Sequence, residues 1–296
     1  MPTLASARYG KDNVRVCKVT RDPSTGVHHV VELTVCCLLE GAIDKSYTHA
    51  DNSVVVATDS IKNTIFIKAK EFPVHPPELF AARLGAHFLD RYAHISAAVV
   101  SVLVHRWTRI ELDDKPHPHA FYRDGDDKRT VEVRVERRNH CESAVGTVTQ
   151  TGTQTGTDSD GICITIESGI KGLSVLKSTG SAFHGFVRDE FTTLPETWDR
   201  ILSTDVDCSW TWSPFGSIDA AAAAEGKFIA AWDQARAITL RRFAEDDSAS
   251  VQNTIYKMAE DVLAAVPETT VVAYSLPNRH YFEAGELLIL PLLLLM

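Results

Sequence analysis

The chain reads as an α+β protein made of two copies of one unit, each an antiparallel sheet with helices laid on one face. Three observations lead there. Ser60-Ile61-Lys62-Asn63-Thr64-Ile65 and Ser250-Val251-Gln252-Asn253-Thr254-Ile255 repeat each other at matching points of two halves. Strand-like alternation brackets a helical stretch in each half, so the order β, β, α, α, β, β occurs twice. The helical stretches carry apolar residues at helical spacing on one face only, which is the mark of a helix lying on a sheet.

In the first half, Val14, Val16 and Val19 alternate, Asp22-Pro23-Ser24-Thr25-Gly26 turns the chain, and Val30 to Leu39 runs back, which makes a hairpin. Ser60 to Lys70 forms a short helix. Pro76-Pro77-Glu78 opens a longer one with Phe80, Leu84, Phe88 and Tyr92 on one face, Glu78 being charge in its first turn. Ala97 to Leu112 and Ala120 to Arg137 are two more strands joined by a polar, proline-containing turn that holds His117-Pro118-His119. That triplet has a metal-like look but lacks a nearby third ligand, so no metal site is expected there.

The second half begins with Ile162 to Ile166 and Leu173 to Ser178 as strands, and Asp207 to Trp212 alternates like another. Between them Thr193-Leu194-Pro195-Glu196 has the form of a capping box opening a short helix that carries Arg200. Phe228, Trp232, Ala235, Ile238 and Phe243 mark a long helix, Ile255, Met258, Val262 and Leu263 another, and Thr270 to Glu283 closes as a hairpin-like strand. The low-complexity run from Thr149 to Thr157 cannot build a core and reads as an exposed insertion. The expected organisation is residues 1–142 and 162–284 as two domains, 143–161 as the insertion and 285–296 as a divergent apolar tail.

With 296 residues, 44% hydrophobic and 23% charged, the chain is long enough for one large core or two medium ones. A formal charge of −9 excludes broad capture of nucleic acid, which needs a basic surface. The six cysteines show no CxxC spacing and read as reduced, mostly buried intracellular thiols. The leucine run at the C-terminus is too short to span a bilayer, which takes roughly 20 residues. No membrane association is expected. Each repeated hexapeptide opens a helix, and helix N-termini offer unpaired N–H groups and partial positive charge, so the chain is expected to hold two sites for small anions.

Several words of the sequence go further. Arg8-Tyr9-Gly10-Lys11, Ala57-Thr58-Asp59-Ser60-Ile61-Lys62-Asn63-Thr64, His105-Arg106-Trp107, Leu176-Lys177-Ser178-Thr179, Ser248-Ala249-Ser250-Val251-Gln252 and Leu276-Pro277-Asn278-Arg279-His280-Tyr281-Phe282-Glu283 occur in this order. In these, from about Arg8 to Glu283, the chain resembles the urate oxidase (uricase) family. The resemblance implies two tandem tunnelling-fold (T-fold) domains of the ββααββ kind assembling into a β-barrel tunnel. It implies a homotetramer with active sites shared between subunits. It also implies cofactor-free oxidation of urate by O₂ and water to 5-hydroxyisourate and hydrogen peroxide, the first step from urate towards allantoin in purine catabolism.

By that resemblance Lys11, Thr58 and His280 match a catalytic relay in which a lysine takes a proton through a threonine hydroxyl while a histidine orders the attacking water. Taken alone, Lys11 reads as a surface amine, Thr58 as a helix cap and His280 as structural. Arg200 and Gln252 match a clamp on the edge of urate, pairing a planar fork of donors with a carboxamide that both donates and accepts. The competing reading of Arg200 is an ion pair with Asp199 or Glu196. Phe183 matches the aromatic that stacks on the substrate, with Phe186 as core. Val251 matches a backbone contact, Asn278 a contact beside the O₂ and water site, and Asp59 a backbone N–H donor. Lys11, Thr58 and Asp59 come from one subunit and the others from its neighbour. The family commonly ends in a peroxisomal Ser-Lys-Leu-type signal. This chain ends in Leu287 to Met296 instead, which allows, as an alternative, an impaired or non-enzymatic purine- or pterin-binding protein.

Overall fold

The computed structural model of the chain describes residues 3–138 and 161–281. The insertion from 143 to 160, Cys141, Glu283 and the tail from 285 lie outside the described residues. The strands are β1 (Tyr9–Arg21), β2 (His28–Gly41), β3 (Ile95–His105), β4 (Thr108–Leu112), β5 (Lys115–Tyr122), β6 (Lys128–Arg137), β7 (Ile162–Lys177), β8 (Leu202–Trp212), β9 (Thr269–Ser275) and β10 (Asn278–Arg279). The helices are α1 (Asp44–Thr48), α2 (Thr58–Glu71), α3 (Pro77–Arg91), α4 (Ile218–Ala222), α5 (Glu225–Glu245) and α6 (Val251–Ala265).

One antiparallel sheet runs through both halves in the order β1-β2-β3-β6-β7-β8, with β9 and β10 both on the far side of β8. The halves join where β6 pairs with β7 from Lys128 opposite Lys171 to Arg137 opposite Ile162. Alternate residues of each strand therefore point to the helices: Leu33, Val35, Cys37 and Leu39 of β2, Val131, Val133 and Val135 of β6, and Trp210 and Trp212 of β8. They share one hydrophobic core with Ile61 and Ile65 of α2, Phe80, Leu84 and Phe88 of α3, and Phe228 of α5. Trp212 meets Phe228 edge to face at 4.7 Å. Gly85 lets α3 sit close on the sheet, since a Cβ there would come within 2.7 Å of Val135. The other face is polar, with Thr34, Cys36, Ser101, Glu132 and Glu167 lining an open cleft of about 440 Å³. A single chain leaves the sheet unclosed, with β1 at one edge and β9–β10 at the other.

Several expected elements differ. The strand expected over 97–112 is cut at Arg106 and Trp107, and β4 and β5 form a separate two-stranded flap. The Arg106 guanidinium, held by Asp124 and Asp127, fixes the chain where it leaves the main sheet. His117 and His119 lie on β5 rather than in a turn. The segments 162–166 and 173–178 are one strand, β7, carried over an irregularity between Ile170 and Leu173. The expected closing hairpin is instead a single line along β8, since Ser275 opposite Asp207 and Asn278 opposite Thr204 keep one register across Pro277. Pro277 lacks the N–H to continue the ladder, and its carbonyl accepts from Thr204 Oγ1 at 2.8 Å.

No helix forms at Thr193. The capping box fails because Glu196 does not reach back to Thr193 but accepts from Gly185 N at 2.9 Å. Glu78 lies in the first turn of α3 as expected, and it is fully buried there as the ion-pair partner of Arg129. Of the cysteines, Cys37 and Cys208 are buried, Cys36 and Cys163 half-buried and Cys17 exposed, because Cys17 alternates with buried Val16 onto the outer face of β1. No helix among the described residues is long and apolar enough to cross a membrane.

Candidate active site in two halves

Lys11 stands at a β-bulge. The β1–β2 register gains one residue between Lys11 opposite Cys37 and Val14 opposite Val35, and Asn13 takes a left-handed φ of 57°. Bulges of this kind redirect a side chain. Just before it, Gly10 crosses the backbone of β2 so closely that a Cβ would lie 1.9 Å from the Cys37 carbonyl oxygen, so no other residue fits. The Tyr9 hydroxyl accepts from Val56 N at 2.6 Å and ties β1 to the chain entering α2.

Thr58 is the first residue of α2, not its cap; Ala57 is the cap and supplies no side-chain bond. The first N–H groups of α2, those of Thr58 and Asp59 among them, are left without a side-chain acceptor, as an anion site requires. Hydrogen bonds from Lys62 at 2.6 Å and Asn63 at 2.9 Å turn the Asp59 carboxylate along the helix. The Lys62 bond and charge hold Asp59 below the usual carboxylate range, and the Lys11 ammonium adds to the effect. Lys11, Thr58 and Asp59 thus form one cluster at the β1 edge.

Phe183 and Arg200 on the β7–β8 connection, Val251 and Gln252 at the start of α6, and Asn278 and His280 on and just after β10 lie on the β8–β10 side of the sheet. Phe183 N donates to Thr197 O at 2.7 Å and Thr197 N returns a bond to Phe183 O at 2.9 Å, which brings Arg200 over the Phe183 ring, 4.9 Å from its centroid. Phe186 is half-buried rather than core and stacks on Phe183 at 4.6 Å. Ala182 N donates to Ser248 O at 2.9 Å and Ser248 N to Gly180 O at 3.0 Å, so the start of α6 lies beside Phe183. Ser250 stands at the N-cap position of α6 but its side chain accepts no capping bond from the helix N–H groups. Its hydroxyl donates instead to Gln252 Oε1 at 3.1 Å and orients the carboxamide. Asn278 and Arg279 pair with Thr204 and Ser203 at the start of β8, just beyond Arg200, and Arg279 also pairs with Asp205. His280 follows them and is exposed.

Arg200 has no carboxylate partner among the described residues. Asp199 is occupied by Thr179 Oγ1 at 2.7 Å and Gly180 N at 2.9 Å, and Glu196 by Gly185, which removes the competing ion-pair reading. Burial alone draws the Arg200 guanidinium below its usual pKa, and its Nε is shielded from water without an acceptor. Ser181 Oγ, close by in sequence, is likewise buried and unbonded. Buried donors cost free energy when unpaired, so this edge is built to receive acceptors.

The two clusters do not meet within one chain. From β1 to the β9–β10 line are six strand spacings, roughly 29 Å along the sheet at ~4.8 Å each. Tyr9 and Ser250 are supporting residues that the sequence reading did not single out; their only signal there is that each lies inside a quoted motif. Among the described residues no group of three His, Cys, Asp or Glu is placed to hold a metal ion.

The chain matches the sequence profile of the family described as Uricase over residues 7–134 and 166–286. It is 56% identical over 283 residues to a uricase from Emericella nidulans and 55% identical over 283 residues to one from Aspergillus flavus, covering 96% of this chain and 86% of each relative. The crystal structure of a uricase from Arthrobacter globiformis superposes with a TM-score of 0.79 at 34% identity, over 98% of this chain and 87% of that one. The tandem T-fold architecture is thus shared with solved uricases, and with it the chain belongs to the uricase family.

Proposed function

We propose that the chain is a urate oxidase that converts urate, O₂ and water to 5-hydroxyisourate and hydrogen peroxide without a cofactor. The observation that carries this is Arg200, a half-buried guanidinium with an unmet donor, stacked on Phe183 beside the uncapped start of α6. A flat, anionic ring rich in carbonyls supplies what that arrangement lacks: a face for Phe183, acceptors for Arg200 and for the α6 N–H groups, and a donor–acceptor edge for Gln252. The relay of Lys11, Thr58 and His280 then takes a proton and orders water, with Asn278 beside the O₂ and water position and Asp59 and Val251 giving backbone contacts.

In this reading each site is completed by two chains of a homotetramer. Three features support it: the clusters lie at opposite sheet edges, both edges are unpaired among the described residues, and Val187, Phe191 and Trp198 stand 94%, 80% and 70% exposed around the Phe183 segment. A peroxisomal location is proposed from family membership alone. The non-catalytic alternative gains no support from the relatives, all uricases by name.

The test is loss of urate absorbance with equimolar hydrogen peroxide in buffer stripped of metal and flavin, using protein whose mass in solution is that of an oligomer. An assembled protein that leaves urate unchanged would refute the proposal.

A further inference from the structure

A second cleft, of about 460 Å³, opens where the β4–β5 flap leaves the main sheet, between the ends of β2 and β3 and the side of α5. Its size is that of a small-molecule site. It lies at the other end of the sheet from Lys11: His29, on its wall, pairs with Thr20, and from Lys11 to Thr20 is roughly 30 Å of strand at ~3.3 Å per residue.

Its lining combines cationic and aromatic side chains and includes no carboxylate. Arg106 on the wall is neutralised by Asp124 and Asp127. Arg109 is different. Its guanidinium donates only to backbone carbonyls, those of His117, Pro118 and His28, and lies 4.7 Å from the centroid of Phe121. It is thus fixed in place with its charge unopposed by any ion pair among the described residues, in a chain of net charge −9. Trp232, from α5, also lines the cleft, and its indole N–H is shielded from water without an acceptor among the described residues. A rigid, uncompensated cation and an orphaned donor in the lining of one cleft, with the rings of Trp107, Phe121 and Trp232, match one kind of ligand.

We propose that this cleft binds a small aromatic anion of mononucleotide size, Arg109 meeting its charge and Trp232 donating to it. The site is additional to the urate reading and does not depend on it. Calorimetric titration of the full-length, assembled protein with adenosine 5′-monophosphate, adenosine and inorganic phosphate, in the absence of urate, tests it. Saturable binding of the monophosphate is expected, with adenosine and phosphate each weaker by about ten-fold or more. Arg109→Met is expected to weaken the monophosphate by about ten-fold or more and Trp232→Phe by several-fold, with the thermal midpoint of Trp232→Phe near wild type. Arg200→Ala leaves that binding intact. Because Arg109 also holds the flap, Trp232→Phe carries the test if Arg109→Met does not fold. No monophosphate binding at millimolar concentration would overturn the proposal. So would equal binding of adenosine, indifference to Trp232→Phe, or loss in Arg200→Ala.

Discussion

Arg200 shows how a residue's chemistry is set by what its neighbours decline to offer. Both adjacent carboxylates are spent on the backbone of residues 180 and 185, so the guanidinium is left charged, half-buried and under-bonded. A ligand oxygen arriving there gains a charge-assisted bond without displacing a competitor. Replacing Arg200 with Ala should lower kcat/KM for urate by about 10- to 100-fold, the equivalent of one charged hydrogen bond. Arg200→Lys should recover little, because an ammonium lacks the planar fork. Steady-state urate consumption reads both, and activity within two-fold of wild type in either would contradict the assignment. Lys11→Met should act on kcat by about 10²- to 10⁴-fold, the range for a lost acid–base group, while urate still binds. A change confined to KM would remove Lys11 from the proton relay.

At the scale of elements, α6 is held to the Phe183 segment by a polar knot at its N-terminus. Thr254 Oγ1, buried, donates to Asp246 at 2.6 Å and bonds Ser248 Oγ at 2.7 Å, and Lys257 donates to Asp246 at 2.6 Å. Thr254→Val should therefore cost about 1–3 kcal/mol of stability, read as a lower denaturation midpoint, and should weaken urate binding through Gln252. Burial pushes the Asp246 carboxyl up, but the bonds from Lys257 and Thr254 outweigh it and hold it below the usual range. A carboxyl depressed on folding contributes stability above its unfolded pKa of about 4 and loses it as pH falls through the lower folded value. Acid should loosen α6 below about pH 4, and Asp246→Asn should flatten that part of the stability–pH curve. An unchanged acid slope in that variant would place the sensitivity elsewhere.

The same contest between local and tertiary partners decided which elements were legible. The hairpin β1–β2 and the helices α3, α5 and α6 follow from short-range alternation and helical spacing, and each was expected where it lies. The helix at Thr193 was not, because its cap residue Glu196 is captured by Gly185, and the 97–112 strand broke because Arg106 is captured by Asp124 and Asp127. Neither capture leaves a trace in sequence period. The aromatic and cationic residues of the site were visible inside their motifs, whereas the bulge at Asn13 and the orphaned Arg200 Nε depend on contacts across strands.

At the scale of the whole molecule, a buried polar link crosses the junction of the halves. Arg129 of β6 donates through Nη2 to both Glu78 oxygens at 2.8 Å and to Phe228 O at 2.9 Å. Ser168 of β7 donates to Glu78 Oε1 at 2.7 Å, and Trp212 of β8 to Ser168 at 3.0 Å. Removing one charge leaves the other buried and unpaired, so Glu78→Leu should destabilise by about 3–5 kcal/mol and Glu78→Leu with Arg129→Met by less. Chemical denaturation of the single and double variants measures this, and additive losses would show that the two groups do not act as a pair. The divided site gives a second expectation. Lys11→Met and Arg200→Ala chains, each impaired alone, should show more urate turnover co-assembled than the two give separately, because some interfaces then hold one intact copy of each cluster. Mixed oligomers with no added activity would mean that each chain works with its own residues.

The strand–helix alternation of each half, the doubling of the chain and the family words around Lys11, Thr58, Gln252 and His280 were legible in the sequence alone, since periodicity and residue identity are local properties. Three things waited for the tertiary structure: that the halves share one sheet and one core, that the two clusters lie at opposite edges of it, and that Arg200 and Arg109 find no carboxylate among the described residues. Those depend on which strand pairs with which and which acceptor is already taken, and such long-range competition has no period to read.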